Sequence, residues 1–263
     1  MILKKYSQIL ISIILLATLS SWMILSRQTK PSLFLIGDST VAEGRGWGKY
    51  LPSFMDTTKI GIRNYAVAGT SSRTFITNGV WQKSLMKKGL WDTVYAKLKK
   101  GDYVVMQFGH NDASALGDTA RARGTIKGIG EETKEIYNPV TGKQEVVHSY
   151  GWYLRKLVTE IKSKGATPII CSLIPHNKWQ DGKNVRNNND YAKWAAEVAA
   201  QTGTLFIDLN NVIADRYDQE GETAVKAKYF NATDLAHPNA LGSKLNAAMV
   251  AKALGAHHIG AVN

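Results

Sequence analysis

The chain has 263 residues, of which 44% are hydrophobic and 21% charged, and its formal net charge is +12. This composition is ordinary for a soluble globular protein, and the single cysteine, Cys171, excludes an intramolecular disulfide and any metal site made of several cysteines. The positive charge favours an anionic partner. Because the lysines and arginines are scattered and no nucleic-acid recognition motif is present, we expect no nucleic-acid partner.

The first thirty residues differ from the rest of the chain. Two lysines precede an uncharged apolar segment, residues 9–25, and two basic residues follow it. A basic start followed by an apolar segment is typical of a secretory signal, but this segment is long for a signal peptide and slightly short for a spanning helix. We predict that residues 1–30 are a signal peptide or an uncleaved membrane anchor. Residues 31–263 are then one domain, exported to the periplasm or the cell exterior.

Five short apolar segments follow, rich in β-branched and aromatic residues, as strands buried on both faces should be. The predicted strands are Leu33–Ile36, Ile62–Val67, Tyr103–Phe108, Thr167–Leu173 and Leu205–Leu209. Helical patterns lie between them, which predicts an α/β domain with a parallel sheet covered on both faces. In such sheets, ligands bind at the carboxyl ends of the strands.

Three helices show apolar residues at helical spacing. Residues 153–161 and 191–199 each present one apolar face and are followed by Gly165 and Gly203 as helix stops. In the last helix, the predicted buried stripe consists of Leu241, Leu245, Met249 and Ala253, ending before Gly255. We expect this stripe to face the sheet.

One long segment, residues 113–148, interrupts the alternation of strands and helices. Within it, the stretches 135–137 and 145–148 flank a turn-like Asn138-Pro139-Val140-Thr141-Gly142-Lys143 sequence, which predicts a small hairpin. Long excursions in compact domains are usually functional loops or disordered segments. The glycines here do not match a phosphate-binding loop.

Polar residues and glycines with catalytic potential occur at four places, three of them at strand ends. They are Gly37-Asp38-Ser39, Gly69, Gly109-His110-Asn111-Asp112 and Asp234-Leu235-Ala236-His237. A serine hydroxyl becomes nucleophilic when a histidine takes its proton and a carboxylate orients that histidine. An oxyanion also needs donors, which the N–H groups of Ser39 and Gly69 and the amide of Asn111 can supply.

Each feature also has an ordinary structural interpretation. Ser39 alone predicts a helix cap, Gly69 a turn, and an Asp-x-x-His sequence a surface turn or capping pair. Their occurrence together in one chain favours ester hydrolysis. The pattern Gly-x-Ser-x-Gly is absent, which disfavours an ordinary α/β-hydrolase.

These four places resemble the signature blocks of the SGNH (GDSL) hydrolases. Four further stretches resemble the bacterial rhamnogalacturonan acetylesterases: residues 124–133, 138–155, 172–175 and 206–209. The resemblance extends from Phe34 to about Val250. It implies a flavodoxin-like three-layer α/β/α sandwich with a central five-stranded parallel sheet. It also implies removal of acetyl groups from rhamnogalacturonan, without a metal or other cofactor.

The resemblance assigns the catalytic roles residue by residue. Ser39 is the nucleophile, His237 the base and Asp234 the acid that orients it. The N–H groups of Ser39 and Gly69 and the side-chain amide of Asn111 form the oxyanion hole.

Three more residues are candidates for substrate binding: Asp38, His110 and Trp179. His110 is placed either to contact substrate or to support its loop, and Trp179 either to stack on a sugar ring or to pack in the core. Residues 31–263 carry 29 basic and 21 acidic side chains, a formal charge of +8 that agrees with an acetylated acidic polysaccharide such as pectic rhamnogalacturonan, or with another anionic glycan.

Two other functions remain open at this point. One is a GDSL-type lipase, lysophospholipase or thioesterase, which would prefer long acyl chains. The other is a membrane-tethered glycan-binding module whose catalytic residues are inactive.

Overall fold

A computed structural model describes residues 30–78 and 89–260 of the chain. Apart from Lys30, the predicted leader lies outside these residues. In the part of the chain that the structure describes, no helix has the length and apolar character needed to cross a membrane. All elements below belong to the compact unit Pro31–Asn263.

Strands and helices alternate over most of the described chain. In chain order the elements are β1 (Ser32–Gly37), β2 (Gly61–Asn64), α1 (Ser72–Thr77), α2 (Leu90–Tyr95), β3 (Tyr103–Gln107), β4 (Thr133–Asn138), β5 (Lys143–His148), α3 (Tyr150–Ser163), β6 (Thr167–Cys171), β7 (Trp179–Gln180), β8 (Lys183–Asn184), α4 (Tyr191–Thr202), β9 (Leu205–Ile207), α5 (Leu209–Glu220), α6 (Glu222–Tyr229), β10 (Phe230–Asn231), β11 (Asp234–Pro238) and α7 (Ala240–Ala256). Short 3₁₀ turns at Trp47–Lys49 and Leu51–Phe54 follow β1.

The central sheet has five strands in the order β2-β1-β3-β6-β9, and all neighbouring pairs are parallel. Successive side chains of a strand point to opposite faces. In β1, Phe34 and Ile36 enter one core with α1 to α4, whereas Leu33 and Leu35 enter the other with α5 to α7. Both faces are thus covered by helices, which confirms the predicted three-layer sandwich and its five-stranded parallel sheet.

The predicted strands begin within one residue of the observed ones. The first ends one residue short, at Ile36 instead of Gly37, whereas the other four extend too far at their carboxyl ends. The second strand ends at Asn64, although the N–H groups of Tyr65 and Val67 still donate to carbonyls of β1 at 2.8 and 3.0 Å. Leu209 already belongs to α5, because the side chain of Asp208 caps that helix. The chain leaves the sheet early at the edge where the polar residues lie.

The prediction for the buried face of the last helix holds only in part. Leu241 is 56% exposed, whereas Leu245, Met249 and Ala253 are half-buried and pack against the core on the α5–α7 side. The fully buried positions lie one residue further along: Gly242, Ser243, Asn246, Ala247, Val250, Ala251 and Leu254. A Cβ atom on Gly242 would lie 2.7 Å from a carbonyl of α6, so close packing selects small residues here rather than large apolar ones. The helix also continues through Gly255 to Ala256.

The other local predictions agree with the structure. Residues 133–138 and 143–148 pair as an antiparallel hairpin, with Thr133 opposite His148. Gly165 and Gly203 have positive φ angles of 69° and 58° where α3 and α4 end. Cys171 is buried in the sheet.

Candidate active site

The turn after β1 presents Ser39 at the carboxyl edge of the sheet. Gly37 ends the strand so close to β3 that a Cβ atom there would lie 2.6 Å from a carbonyl oxygen of that strand. The carbonyl of Asp38 then accepts hydrogen bonds from the N–H groups of Val41 and Ala42, at 3.2 and 3.1 Å. This single helical turn leaves Ser39 half-buried.

The Ser39 hydroxyl does not cap this turn. The side chain of Asp38 does so, since its Oδ1 accepts from the N–H and the hydroxyl of Thr40 at 2.8 and 2.7 Å. The Oγ of Ser39 instead lies 2.9 Å from Nε2 of His237. The structure thus separates the two interpretations of this stretch, because the neighbouring aspartate stabilises the turn and the serine faces the histidine.

Asp234 and His237 meet within β11, three residues apart in the chain. The two carboxylate oxygens of Asp234 lie 3.1 and 3.0 Å from Nδ1 of His237, and one of them also accepts the backbone N–H groups of Ala236 and His237. An ionised carboxylate only accepts hydrogen bonds, so Nδ1 carries the hydrogen and Nε2 presents its lone pair to Ser39.

The pKa of Asp234 is lowered. Partial burial opposes ionisation, but the backbone hydrogen bond from His237 and the electrostatic attraction of its ring outweigh that cost. Asp234 is therefore a carboxylate at neutral pH. Its outer oxygen, Oδ2, also lies 3.3 Å from the guanidinium of the exposed Arg45.

Gly69 and Asn111 lie on the loops after the two strands that flank β1. Gly69 has a φ angle of +83°, which only glycine adopts readily. The Nδ2 of Asn111 donates to the carbonyl of Thr70 at 2.7 Å, and the hydroxyl of Thr70 donates to the carbonyl of Gly37 at 3.1 Å. These bonds tie the loop of Gly69 to Asn111 on one side and to β1 on the other.

A cavity of about 430 Å³ brings these groups together. Its lining consists of Ser39, Thr40, Arg45, Ala68, Gly69, His110, Asn111, Arg121, Arg123, His176, Ala236 and His237. The four residues predicted as nucleophile, base and additional oxyanion donors thus share one cavity, although they come from distant parts of the chain. Such an arrangement has the parts needed for attack on an ester carbonyl.

The structure buries Asp38 instead of exposing it to the cavity. Its Oδ2 accepts from Nδ1 of His110 at 3.0 Å, and Nε2 of the same ring donates to the carbonyl of Ile174 at 2.9 Å. Burial opposes both charges, but their mutual attraction and hydrogen bonds lower the pKa of Asp38 and raise that of His110. His110 lines the cavity with both ring nitrogens engaged, so it supports its loop as an imidazolium.

Trp179 does not line the cavity. It lies half-buried in β7, packs against the core on the α5–α7 side, and its Nε1 donates to the side-chain oxygen of Asn177 at 2.8 Å. Of the three candidates for substrate contact, the structure brings only His110 to the cavity.

His176 and three arginines line the cavity, and no motif in the sequence singles them out. The ring of His176 stacks on His110 with centroids 4.8 Å apart, and burial and the charge of His110 lower its pKa to about 3. It lies in the loop after β6, five residues beyond Cys171, so the rule that sites form at carboxyl ends of parallel strands points to it. Arg121 and Arg123 belong to the excursion after β3.

Asp112 lies beneath the site and is fully buried. It accepts hydrogen bonds from the N–H and hydroxyl of Ser72 and from the N–H of Gly109. Burial nevertheless raises its pKa to about 7, with a contribution from the negative charge of Asp38. Within residues 30–78 and 89–260, no group of three or more His, Cys, Asp or Glu side chains forms a candidate metal site.

Sequence comparison finds relatives that are named as ester hydrolases. Residues 35–245 match the model of the GDSL-like lipase/acylhydrolase family. A rhamnogalacturonan acetylesterase of Emericella nidulans is 31% identical over 238 residues, covering 90% of this chain and 89% of that protein. A probable rhamnogalacturonan acetylesterase of Bacillus subtilis, YesY, is 25% identical over 231 residues, covering 84% and 91%.

Solved structures show the same fold at low identity. The YxiM protein of Bacillus subtilis matches with a TM-score of 0.67 and 21% identity, covering 88% of this chain and 58% of that one. A mutant of Axe2, an acetyl-xylooligosaccharide esterase of Geobacillus, matches with a TM-score of 0.53 and 18% identity, covering 86% and 94%.

Proposed function

The chain belongs to the GDSL-like lipase/acylhydrolase family and is a carboxylic ester hydrolase, and we propose that it removes acetyl groups from rhamnogalacturonan. The contact that carries this proposal is the 2.9 Å approach of Ser39 Oγ to His237 Nε2, with Asp234 on the opposite ring nitrogen. The names of the two curated relatives support an acetylated polysaccharide of this class as the substrate.

Acylation begins at Ser39. His237 takes the hydroxyl proton on Nε2 while Ser39 Oγ attacks the acetyl carbon, and Asp234 stabilises the imidazolium that forms. The tetrahedral intermediate collapses when His237 returns this proton to the sugar oxygen. The sugar leaves as an alcohol, and the acetyl group stays on Ser39 as an ester.

The developing oxyanion requires preorganised donors. In the proposal these are the N–H groups of Ser39 and Gly69 and the hydrogen of Asn111 Nδ2 that does not bind Thr70. Removing one donor of this kind from a serine hydrolase costs about 3–4 kcal/mol of transition-state stabilisation. The bond from Asn111 to Thr70 fixes the amide before substrate arrives, so little reorganisation is needed.

Deacylation reuses the same histidine. His237, neutral again, takes a proton from water as the water oxygen attacks the acetyl carbon. Collapse of the second intermediate releases acetate and returns the proton to Ser39. Every step uses groups of this chain and water.

The family description also includes lipases, so a long-chain acyl ester is the second candidate substrate. The cavity lining argues against it, because Ala68 and Ala236 are its only aliphatic side chains among the residues that the structure describes. A long acyl chain gains its binding energy from buried apolar surface, which this lining offers only sparingly. The methyl groups of these two alanines provide enough apolar surface to contact an acetyl group.

We also propose that residues 1–30 direct export, since polymeric pectin is outside the cell. The leader is either cleaved or kept as an anchor. Fractionation of expressing cells, with the amino terminus of the protein determined, distinguishes these two outcomes from retention in the cytoplasm.

Acetate release from acetylated rhamnogalacturonan tests the proposed activity, with acetylated xylan as control. We expect release from the first polymer at a much higher kcat/KM, and none above background with Ser39→Ala. Equal release from both polymers would contradict rhamnogalacturonan as the specific substrate but would still identify an acetylesterase. A preference for aryl octanoate over aryl acetate would instead identify a lipase.

A further inference from the structure

Two arginines of the excursion line the same cavity as Ser39. Arg121 and Arg123, here the arginine pair, are separated by one residue, Ala122, whose side chain is fully buried. Arg45 lines the cavity as well, but its guanidinium lies 3.3 Å from the Asp234 carboxylate. The arginine pair therefore adds positive charge to the cavity from a second part of the chain.

Ala122 fixes the direction of the arginine pair. Its φ angle is +45°, in the left-handed region, and its N–H donates to the carbonyl of Asp118 at 2.8 Å. A non-glycine residue in this region costs about 1–3 kcal/mol and persists only where the surroundings determine it. Burial of the alanine methyl group holds this conformation, which leaves the side chains on either side of it at the cavity.

A buried arginine fastens the segment that carries the pair. Arg73 of α1 is fully buried, and its Nη1 donates to the carbonyls of Leu116 and Gly124 at 3.0 and 2.8 Å. Its Nε and Nη2 donate to the two carboxylate oxygens of Glu145 in the hairpin, at 2.7 and 2.8 Å. Because α1 follows the Gly69 loop directly, the segment 117–123 is held to the same scaffold as the oxyanion donors.

The arginine pair is electrostatically suited to an anion. Burial and the neighbouring charge of Arg121 lower the pKa of Arg123. Three acidic side chains oppose this shift only in part: Asp118, Asp38 and Asp112. The hydrogen-bond acceptors of Arg123 are neutral: the Ser114 hydroxyl at 3.1 Å and the Gly69 carbonyl at 3.4 Å. A carboxylate placed in the cavity would relieve the repulsion between the two cations.

We propose that Arg121 and Arg123 bind the carboxylate of an acidic sugar, so that the enzyme selects acetyl esters carried by uronate-containing chains. The planar fork of a guanidinium matches a carboxylate with two parallel hydrogen bonds, which gives orientation as well as affinity. This assignment rests on the proposed acetylesterase activity. It identifies the pair as specificity determinants and gives the excursion a function.

The kinetic test compares two forms of one substrate, an O-acetylated galacturonate oligosaccharide and its carboxyl methyl ester. We expect the native enzyme to prefer the free carboxylate by about tenfold or more in kcat/KM. In Arg121→Gln/Arg123→Gln the preference should fall to near one. Arg123→Lys, which keeps the charge but loses the fork, should retain only part of it.

The control is Lys127→Gln/Lys134→Gln. It removes the same charge from exposed positions of the same excursion, neither of which lines the cavity. We expect it to keep the native preference. If the control lost the preference as fully as the arginine variant, long-range attraction would explain the selectivity and the proposal would be wrong.

Two further outcomes separate this proposal from the proposed activity. A native enzyme that hydrolyses both forms equally remains an acetylesterase but disproves the carboxylate site. If no acetyl ester is hydrolysed, calorimetric titration of the Ser39→Ala protein with trigalacturonate and its methyl ester decides the question. The site is supported if trigalacturonate binds more tightly than its methyl ester and the arginine variant loses this difference. Equal affinities for the acid and the ester overturn the proposal. Urea unfolding midpoints of all variants identify any folding defect.

Discussion

Two aspartate–histidine pairs lie next to the Ser39 turn, and they show how burial and the second ring partner decide what a histidine does. In both pairs an aspartate Oδ2 lies 3.0 Å from Nδ1 of the histidine. The Asp38 and His110 side chains are 0% and 8% exposed, whereas those of Asp234 and His237 are 30% and 29% exposed. The opposite ring nitrogen meets a carbonyl in His110 but a hydroxyl in His237.

This second partner determines the chemistry. A carbonyl oxygen only accepts, so His110 holds hydrogens on both nitrogens and has no lone pair with which to act as a base. A hydroxyl is able to donate, so His237 has a proton to take from Ser39. The same two residue types therefore form a structural ion pair in one place and, in the proposed mechanism, the catalytic pair in the other.

The strongest test of this difference exchanges the two histidines for alanine. His237→Ala should lower kcat for an aryl acetate by about 10⁶-fold, as loss of a triad base does in serine hydrolases, with little effect on the free energy of unfolding. His110→Ala should show the opposite pattern, with a large loss of stability and a smaller loss of activity. Initial rates and urea unfolding of both proteins give the comparison. Equal losses of kcat in the two variants would contradict the assignment of His237 as the base.

The two aspartates give a second test. Asp234→Asn should lower kcat by about 10⁴-fold, because the amide favours the wrong tautomer of His237. Asp38→Asn should instead destabilise the fold by about 3 kcal/mol, because it leaves a buried imidazole without its counter-charge. Its effect on kcat should stay within about 10²-fold, the loss that a small displacement of the Ser39 turn produces. A stability loss in Asp234→Asn as large as that in Asp38→Asn would count against the contrast.

Asn111 tests the oxyanion hole. Asn111→Ala should lower kcat by about 10²–10³-fold while leaving KM for an aryl acetate nearly unchanged, because the donor acts on the charge that develops in the transition state. Stopped-flow and steady-state rates provide the measurement. A change confined to KM would assign Asn111 to ground-state binding.

The buried groups predict how stability depends on pH. The raised pKa of His110 means that its contribution is complete below the unfolded pKa of about 6.5 and is lost as pH rises through the folded value. For Asp112, with its pKa raised to about 7, stability likewise declines from about pH 4, where the unfolded carboxyl ionises, to about pH 7, where the buried carboxyl ionises too. Asp38, whose pKa is lowered, stabilises the fold above about pH 4 and loses this effect only at lower pH.

Stability should therefore fall between about pH 4 and 7 through Asp112, and above about pH 6.5 through the loss of the His110 contribution, with a slope of at most about 1.4 kcal/mol per pH unit for each group. His110→Gln should flatten this slope, and His237→Gln should not. Urea unfolding at several pH values measures both. An unchanged slope in His110→Gln would show that the Asp38–His110 pair is not charged as described.

The sequence predicted the five-stranded sheet, and it predicted, as nucleophile, base and oxyanion donors, four of the residues that line the cavity, for physical reasons. Strands buried on both faces are continuous apolar runs, and residues that follow parallel strands converge at one edge. This convergence alone places Ser39 and Asn111 near each other. The sequence could not show that Asp38 binds His110 instead of facing the cavity. That choice depends on a contact between residues 72 positions apart in the chain.

Other errors have the same origin in tertiary packing. The last helix buries small residues because α6 approaches closely at Gly242, a constraint that hydrophobic periodicity does not contain. Trp179 was a candidate for stacking on a sugar, yet it packs against the core. Arg121 and Arg123 reach the cavity through a turn at Ala122 with a positive φ angle, which no local sequence pattern indicated.

The central claim is that Ser39, activated by His237, forms the covalent intermediate. Peptide mapping by mass spectrometry after reaction with an aryl fluorophosphonate tests it most directly, since the probe labels an activated serine. We expect one stoichiometric adduct on Ser39, which is lost in His237→Ala and retained in folded His110→Ala. An adduct on another residue, or labelling of Ser39 that persists without His237, would contradict it.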